Sequence, residues 1–242
     1  MLTARNIENT LKKKGSAKKA KASAWFFKTK KGEYGYGDVF YGVTVPEEWR
    51  VARKYCDVPL AELQKLFNHK VHECRLTALF ILVDQYKRAG NLEKKKIVSF
   101  YLKNTKRINN WDLVDSSAPY ILGDYLINHS LAGGKKILYK LAKSKNMWER
   151  RIAIIASGAF IQISEFTHVL AISEILLNDK EDLLHKACGW MLREVGKKDI
   201  RVLEKFLSQN TSIMPRTMLR YAIEKFPEQK RRRYMALGKT AY

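Results

Sequence analysis

A tryptophan and a carboxylate at helical spacing are the residues of this sequence best suited to chemistry. Trp111 and Asp115 are four positions apart, so on a helix their side chains project from one face. Asn109 or Asn110 can cap such a helix at its start. An indole beside a carboxylate suits a cationic ligand, because the ring face attracts positive charge and the carboxylate pairs with it. The alternative interpretation is a core tryptophan next to a solvated aspartate.

The charge of the chain indicates what such a site would act on. The 242 residues carry a formal net charge of +22, and 46% of them are hydrophobic, which is enough for a folded core. A positive excess of this size indicates a polyanion, most often nucleic acid, because each phosphate contact by Lys or Arg releases counterions. The net charge is +9 in residues 1–31 and +6 in residues 216–242. These ends either flank one concave surface and form a footprint for a duplex, or are tails that raise only nonspecific affinity.

The cysteines and the apolar runs indicate the compartment. Cys56, Cys74 and Cys188 are odd in number and have no paired spacing, so no disulfide framework is expected. The basic N-terminus lacks the apolar stretch of a secretory signal, and the apolar runs are too short to span a bilayer. We therefore predict a cytoplasmic protein, nucleoid-associated in a prokaryote. A membrane-surface role for the lysine-rich N-terminus is the minor alternative.

The elements that position these residues are predicted to be helices almost throughout. Apolar residues recur with a period of 3.6 in nine segments. These segments are residues 71–88, 92–103, 118–128, 135–142, 148–161, 166–177, 183–195, 200–208 and 214–226. Residues 28–46 lack this period, and their glycines do not match a dinucleotide-binding fingerprint. We predict an ordered connection there, with Pro46 opening the next helix.

Basic residues stand just before several of these apolar runs and indicate a repeat. Arg75, Arg151, Lys186 and Arg216 are separated by 76, 35 and 30 residues. Paired helices of this length predict an all-α fold, an α-α superhelix (solenoid) of HEAT-like repeats with a concave basic face. We predict one domain over residues 1–242, with a basic N-terminal helix or arm at 1–20 and a basic C-terminal tail at 228–242. The four cations would then contact DNA, unless each merely decorates an ordinary helix start.

Four segments of the chain resemble one known family. They are NWDLVDS at residues 110–116, WERRIA at 148–153, KACGWMLRE at 186–194 and DVFYGVTVP at 38–46. Together they resemble, in order and at compatible spacing, the motifs of the AlkD-like DNA alkylation repair glycosylases. The similarity runs from about residue 25 to residue 195 and leaves both basic ends outside it.

The resemblance implies a fold, an activity and a set of site residues. It implies HEAT-like repeats that wrap duplex DNA and excise cationic alkylated purines, chiefly 3-methyladenine and 7-methylguanine, as in base excision repair. Trp111 and Trp190 match the aromatic residues that pack against the deoxyribose of the lesion, and Asp115 matches the catalytic carboxylate. Arg151 matches the arginine that holds the neighbouring phosphate. Phe26 aligns with an aromatic residue near the N-terminus, where it lacks the tyrosine hydroxyl of the family.

The chemistry of such a reaction is consistent with these residue types. Alkylation at N3 or N7 makes the purine a cation, which is a good leaving group without protonation. The glycosidic bond then breaks through an oxocarbenium-like transition state, as in sugar hydrolysis. Asp115 would stabilise the developing cation and position or deprotonate water. We therefore predict a hydrolase that acts on duplex DNA as a monomer, with no cofactor, no metal and no membrane partner.

Metal-dependent alternatives have less support in the sequence. An H-x2-H-x-C cluster at residues 69–74 has the ligand types of a zinc site but lacks a fourth ligand. Asp112 and Asp124 are candidates to join Asp115 in metal-dependent phosphodiester cleavage, although Asp112 points elsewhere on a helix.

The main alternative from another class of protein is a scaffold without catalysis. Helical-repeat solenoids are common binding modules, and a fold does not fix a function. Such a scaffold would bind DNA or RNA through charge and shape. It needs the basic face but not the pair Trp111 and Asp115.

Overall fold

The structure, a computed structural model, describes residues 2–129 and 135–237, and its regular elements there are all helices. No β-strand occurs in these ranges, where the β contacts amount to one isolated parallel bridge between Val39 and Val71. The predicted all-α class is therefore confirmed. The chain divides into two compact units, Met1–Ser117 (unit 1) and Ala118–Tyr242 (unit 2). The single domain over residues 1–242 stays a prediction.

Unit 1 contains seven α-helices in its described part. They are α1 (Ala4–Lys14), α2 (Ala17–Phe26), α3 (Val45–Lys54), α4 (Leu60–Phe67), α5 (His72–Arg88), α6 (Asn91–Lys103) and α7 (Trp111–Asp115), with a 3-10 turn at Thr105–Arg107. The sequence periodicity predicted α5 and α6 to within one residue at each end. It did not delimit α1 to α4, because short or strongly basic helices show little apolar period.

The core of unit 1 surrounds α5. Thirteen of its 17 residues are buried, and the helix packs against α1, α3, α4, α6 and α7. A helix that is buried on every side lies at the centre of a layer of helices rather than at its surface. Consequently, side chains at the start of α5 lie within the unit although they are charged.

The connection between α2 and α3 is ordered by one glycine and one glutamate. Gly42 has a φ of +79°, and a Cβ there would lie 2.2 Å from the Ser16 carbonyl oxygen. Only glycine permits this close approach of the chain to the start of α2. The Glu73 carboxylate accepts hydrogen bonds from three successive backbone N–H groups that include Gly42. Pro46 lies in the first turn of α3, as predicted.

Unit 2 contains eight α-helices in its described part. They are α8 (Asp124–Asn128), α9 (Lys136–Ala142), α10 (Met147–Ser157), α11 (Thr167–Ile175), α12 (Asp182–Lys198), α13 (Ile200–Asn210), α14 (Arg216–Ala222) and α15 (Glu228–Leu237). A π-helical turn at Pro119–Gly123 precedes α8, and a 3-10 segment at Gly158–Ile163 follows α10.

The core of unit 2 is built around α10 and α12. Helix α12 packs most extensively against α14 and also contacts α10, α11 and α13. At its crossing with α14, a Cβ on Gly189 would lie 2.4 Å from the Met218 carbonyl oxygen and 2.5 Å from Tyr221 Cβ. Glycine is therefore required at this position for the two helices to approach so closely.

Three predicted segments of unit 2 differ in detail from the structure. The segment predicted at 148–161 leaves α geometry after Ser157, and the segment at 118–128 opens with a π-helical turn at Pro119, which has no N–H to donate. Pro215 is the N-cap residue of α14, so the helix begins at Arg216 rather than at the predicted residue 214. Within the predicted basic tail, residues 228–237 form α15, and residues 238–242 lie outside the described residues.

Two further features of the described residues concern covalent links and membranes. Cys56, Cys74 and Cys188 are all free. Among residues 2–129 and 135–237, no helix has the length and apolar character that crossing a membrane requires.

Candidate active site

Helix α7 presents the tryptophan and the carboxylate on its partly exposed side. The Asn110 side chain caps the helix by accepting a hydrogen bond from the Trp111 backbone N–H at 2.8 Å, which confirms the predicted cap. Leu113 and Val114 are fully buried, whereas Trp111 and Asp115 are half-buried. One side of α7 therefore anchors it in the core, and the other carries the two candidate residues.

The C-terminal end of α7 is held by hydroxyl groups. The Ser117 hydroxyl donates to the Leu113 carbonyl oxygen at 2.6 Å and pairs with the Tyr101 hydroxyl at 3.1 Å. Burial raises the pKa of Tyr101, and the charge of Asp115 raises it further against the opposing hydrogen bond of Ser117. Tyr101 is thus a neutral residue beneath the candidate carboxylate, and Asp115 lies close enough for its negative charge to raise the pKa of Tyr101.

Two phenylalanines pack against Trp111. The Phe27 ring stacks on the indole with centroids 5.5 Å apart, and the Phe26 ring meets it edge-on at 5.9 Å. Phe26 is 54% exposed, whereas Phe27 is half-buried and stacks in turn on Phe40 at 5.3 Å. The predicted aromatic Phe26 therefore lies at the surface beside Trp111, and its neighbour Phe27 supports the indole from below.

A buried histidine lies between two aspartates beneath this aromatic cluster. His72 is 2% exposed, and its Nδ1 lies 3.0 Å from Asp38 Oδ2 while its Nε2 lies 2.8 Å from Asp112 Oδ2. Burial acts to lower the pKa of His72, but the charge and hydrogen bond of Asp112 and the hydrogen bond of Asp38 raise it to about 9. The imidazole is therefore protonated at neutral pH, and both of its nitrogens donate.

Asp38 also binds Arg75, which the sequence predicted to contact DNA. Arg75 is 4% exposed; its Nη2 donates to Asp38 Oδ1 at 2.7 Å, and its Nη1 donates to the carbonyl oxygens of His69 and Lys70. Burial raises the pKa of Asp38, but the hydrogen bond of His72 and the charge of Arg75 outweigh this effect and lower it. Since the Asp38 carboxylate inside unit 1 neutralises this guanidinium, Arg75 is not among the DNA contacts that we propose.

A second buried carboxyl group faces the same histidine. Glu48 on α3 is buried, and burial together with the negative charge of Glu73 holds its pKa well above the ordinary value. The positive charge of His72 acts in the opposite direction but does not outweigh them. Glu48 therefore holds its proton more tightly than an ordinary glutamate does.

Sequence reasoning missed this polar cluster because its members are far apart in the chain. Asp38, His72 and Asp112 are separated by 34 and 40 residues, so no local spacing connects them. The available signals were indirect. Asp38 opens one of the four family-like segments, and His72 stood out only as a zinc-ligand candidate.

The residues of the metal alternatives have other partners in the structure. His72 is bonded to two aspartates, and Asp112 accepts from the Leu113 backbone N–H at 2.8 Å with its other oxygen. Over residues 2–129 and 135–237, no three His, Cys, Asp or Glu side chains are placed to hold a metal ion.

In unit 2, the candidate residues lie on α10 and α12. Arg151 is 5% exposed and its Nη1 donates to the Leu183 carbonyl oxygen in the first turn of α12 at 2.6 Å. Trp190 is half-buried and follows Gly189, where α12 crosses α14. Lys186 lies one turn before Trp190, where it pairs with Asp182 at 2.8 Å and stays partly exposed.

The fourth predicted cation of the repeat joins two helices. Arg216 at the start of α14 donates through Nη2 to the Met235 carbonyl oxygen in α15 at 2.6 Å. Phe226 and Tyr234 pack nearby, with ring centroids 5.6 Å apart. Arg216 therefore helps to hold the basic helix α15 against α14, and its contact with DNA stays a prediction.

The hydrogen bonds of two arginines reveal a repeated structure at the starts of α5 and α10. Arg150 donates to the carbonyl oxygens six and five residues before it, at 2.9 and 3.1 Å, and to the Asp179 carboxylate at 2.6 Å. Arg75 makes the same two carbonyl contacts, six and five residues back, and likewise binds a carboxylate. The structural counterpart of Arg75 is therefore Arg150, one residue earlier than the sequence pattern predicted.

Comparison with known proteins gives the family of the chain. A family model described as DNA alkylation repair enzyme matches residues 7–226. A solved structure described as a predicted DNA alkylation repair enzyme from Enterococcus faecalis is similar with a TM-score of 0.69 and 16% sequence identity, over 89% of this chain and 98% of that one. At this identity the likeness shows the fold alone. No curated protein matches the chain.

The family match includes both segments that carry the candidate residues, α7 and the α10–α12 region, and leaves out α15 and the first residues of α1. It accounts for the large positive charge, since the substrate of such enzymes is DNA. The chain belongs to the DNA alkylation repair enzyme family.

Proposed function

We propose that this repair enzyme is a glycosylase that hydrolyses the N-glycosidic bond of cationic alkylated purines, chiefly 3-methyladenine and 7-methylguanine, in duplex DNA. The observation that carries the proposal is the pairing on α7. Asp115 and Trp111 share the half-exposed side of a helix in which Leu113 and Val114 are fully buried and Asp112 binds His72. A purely architectural helix has no need for a carboxylate beside an indole on that side.

The proposed mechanism divides the work between the lesion and Asp115. The alkylated purine leaves as a neutral base, because cleavage of the bond to the sugar cancels its positive charge. The sugar becomes cationic in the transition state, and Asp115 stabilises that charge and positions or deprotonates the attacking water. A water oxygen forms the new bond to the sugar carbon, and its proton leaves to Asp115 or to solvent.

The tryptophans and cations are proposed to hold the DNA. Trp111 and Trp190 would pack against the deoxyribose with electron-rich faces, and Phe26 would extend this surface from α2. Arg151 and Lys186 would contact phosphates and set the register of the duplex. The resemblance of residues 110–116, 148–153 and 186–194 to the family motifs supports the roles of Trp111, Arg151 and Trp190, and the exposure of Phe26 supports its own.

The first test is single-turnover release of 7-methylguanine from a defined duplex. We expect Asp115→Asn to lower the rate about 100- to 1000-fold while duplex affinity stays within a few-fold, because the lost charge acts mainly in the transition state. The control is Asp57→Asn, which alters an exposed carboxylate of the same unit and should leave the rate unchanged. Equal losses of release and binding would refute the catalytic role of Asp115.

A second test concerns the phosphate contact of Arg151. We expect Arg151→Ala to weaken duplex binding and to reduce the slope of log affinity against log salt by about one unit, as for one lost phosphate contact. Binding isotherms at four or more salt concentrations measure this slope. An unchanged slope would remove Arg151 from the interface.

The same assays address the non-catalytic alternative. A parent protein that binds duplex DNA tightly but releases neither 7-methylguanine nor 3-methyladenine would be a binding scaffold. The pair Trp111 and Asp115 would then be part of the architecture.

A further inference from the structure

We propose that His72 is a positioning residue for α7: its imidazole, hydrogen-bonded to Asp38 and Asp112, fixes the helix that carries Trp111 and Asp115. The inference rests on the proposed function in so far as Asp115 is taken as the catalytic group. It adds a residue that contacts neither DNA nor water at the reaction centre and acts through the helix.

Helix α7 needs such support because of its length. Five residues form about one turn, and isolated helices shorter than about 12 residues are marginal in water. The burial of Leu113 and Val114 holds α7 against the core, but apolar contacts are not directional. A short helix held by apolar contacts alone could roll, which would change the direction in which Asp115 points.

The Asp112 carboxylate makes the directional contacts that fix the orientation of α7. One of its oxygens accepts from the Leu113 backbone N–H at 2.8 Å, within the first turn of α7. The other lies 2.8 Å from Nε2 of His72, the first residue of α5. Since α5 is the most buried helix of unit 1, the first turn of α7 is tied to the most rigid element available.

The far side of the imidazole is equally fixed. Nδ1 of His72 faces Asp38 at 3.0 Å, and Asp38 is held by Arg75 at 2.7 Å. Asp38 and Asp112 contribute two negative charges, and Arg75 and the imidazolium contribute two positive charges. Glu48 and Glu73 are the other buried carboxyl groups of this region; burial and the charge of Glu73 raise the pKa of Glu48. Among the four groups joined by these hydrogen bonds, the charges balance only while the imidazole is protonated.

A second route connects His72 to the same helix. The imidazole packs on Phe27 with centroids 4.8 Å apart and on Phe40 at 4.9 Å. Phe27 stacks on Trp111 at 5.5 Å. An imidazolium is attracted by these aromatic faces, so its charge also stabilises the stack beneath Trp111.

Loss of the proton would therefore loosen α7. The pKa of His72 is about 9. Below this pH both ring nitrogens donate; above it one nitrogen carries a lone pair that faces a carboxylate. We expect the surroundings of Trp111 to change with a midpoint near pH 9, and the release rate to fall over the same range.

The direct test is an NMR titration of the full chain from pH 6 to pH 10.5. It uses carbon-labelled histidine and tryptophan rings, assigned with His72→Gln and Trp111→Phe. We expect His72 to titrate near pH 9, Trp111 to show a transition at the same pH, and the Trp111 transition to vanish in His72→Gln. A His72 that titrates at or below pH 6.5 would overturn the proposal. A Trp111 signal that does not change as His72 titrates would also overturn it.

The kinetic test uses single-turnover base release with protein in excess. We expect His72→Gln to slow release about 100-fold at pH 7, as for a displacement of about 1 Å in a reacting group, with duplex affinity within a few-fold. We also expect the fall in rate near pH 9 to disappear in this variant. Wild-type rate and pH profile in His72→Gln would overturn the proposal. If this variant fails to fold, the wild-type titration decides alone.

The two proposals fail in distinguishable ways. A parent protein that releases no alkylated base, but in which Trp111 follows the titration of His72, would refute the glycosylase and support the positioning role. Normal release that depends on Asp115, with Trp111 indifferent to His72, would refute the positioning role and support the glycosylase.

Discussion

The two tryptophans proposed to face the lesion are supported in different ways. Trp111 lies on a helix of five residues, whose orientation depends on the Asp112–His72 hydrogen bond and on the stack with Phe27. Trp190 lies on a helix of 17 residues. The preceding Gly189 lets that helix approach α14 so closely that a Cβ there would clash with the α14 backbone.

The difference shows that a side chain can be placed by charge or by backbone packing, with different sensitivities. A buried network of charges depends on pH and on every member, because an unpaired buried charge is costly. A close contact between helices depends on side-chain volume and is indifferent to pH. The placement of Trp111 should therefore respond mainly to changes of charge, and the placement of Trp190 to changes of volume at its helix crossing.

The largest expected effect comes from removing Asp38, the carboxylate shared by two cations. Asp38→Asn leaves His72 and Arg75 without their common negative partner inside unit 1. We expect the free energy of unfolding to fall by about 3 to 5 kcal/mol, as for a broken buried pair. Urea unfolding followed by circular dichroism measures it.

The control for this variant is Asp57→Asn, which removes an exposed partner of Arg88 and should cost less than about 1 kcal/mol. Similar losses in the two variants would show that the buried network contributes no more than a surface pair. The contrast between the supports of Trp111 and Trp190 would then fail.

The next effect is a dependence of stability on pH. The pKa of His72 is about 9 in the folded state against 6.5 for an unperturbed histidine, so the folded chain binds this proton more tightly. The resulting stabilisation, on the order of 3 kcal/mol, is complete below pH 6.5 and is lost as the pH rises to 9. Urea unfolding at pH 6 and pH 9.5 should show this loss in the wild type and not in His72→Gln.

The smallest effect concerns the helix crossing of unit 2. A Cβ at position 189 would lie 2.4 Å from a backbone oxygen of α14, so Gly189→Ala must push the two helices apart. We expect a loss of about 1 to 3 kcal/mol, with the pH dependence of the wild type retained.

A matched variant on the same helix sharpens this prediction. At Gly196 the added Cβ meets the tip of the Leu203 side chain, which can move aside. Gly196→Ala should therefore be neutral or stabilise α12 by up to about 1 kcal/mol through better helix propensity. Equal destabilisation by the two alanines would contradict the role given to the crossing at Gly189.

Local patterns in the sequence predicted much of this structure. The apolar period located α5, α6 and most helices of unit 2, because a helix that faces a core must repeat every 3.6 residues. One short segment also contains Trp111, Asp115 and the cap residue Asn110. Their arrangement on a helix could therefore be predicted from their spacing alone.

Contacts between distant segments could not be predicted in this way. The sequence shows Asp38, His72 and Asp112 as three unrelated polar residues, and only the fold brings them together. Arg75 was expected at a DNA surface because it stands, like Arg151, Lys186 and Arg216, just before an apolar helical run. Its burial required a carboxylate from a segment 37 residues away, which no local pattern shows.

The repeated contacts of Arg75 and Arg150 also bear on which changes of length the chain tolerates. In both places the guanidinium donates to the carbonyl oxygens six and five residues before it. The turn between these carbonyl groups and the arginine therefore has a fixed number of residues. Adding or deleting one residue there would move both oxygens out of register with the arginine. Surface connections that lack such hydrogen bonds from a side chain to the backbone tolerate changes of length readily. Natural and engineered length variants should therefore avoid the turns that lead into α5 and α10.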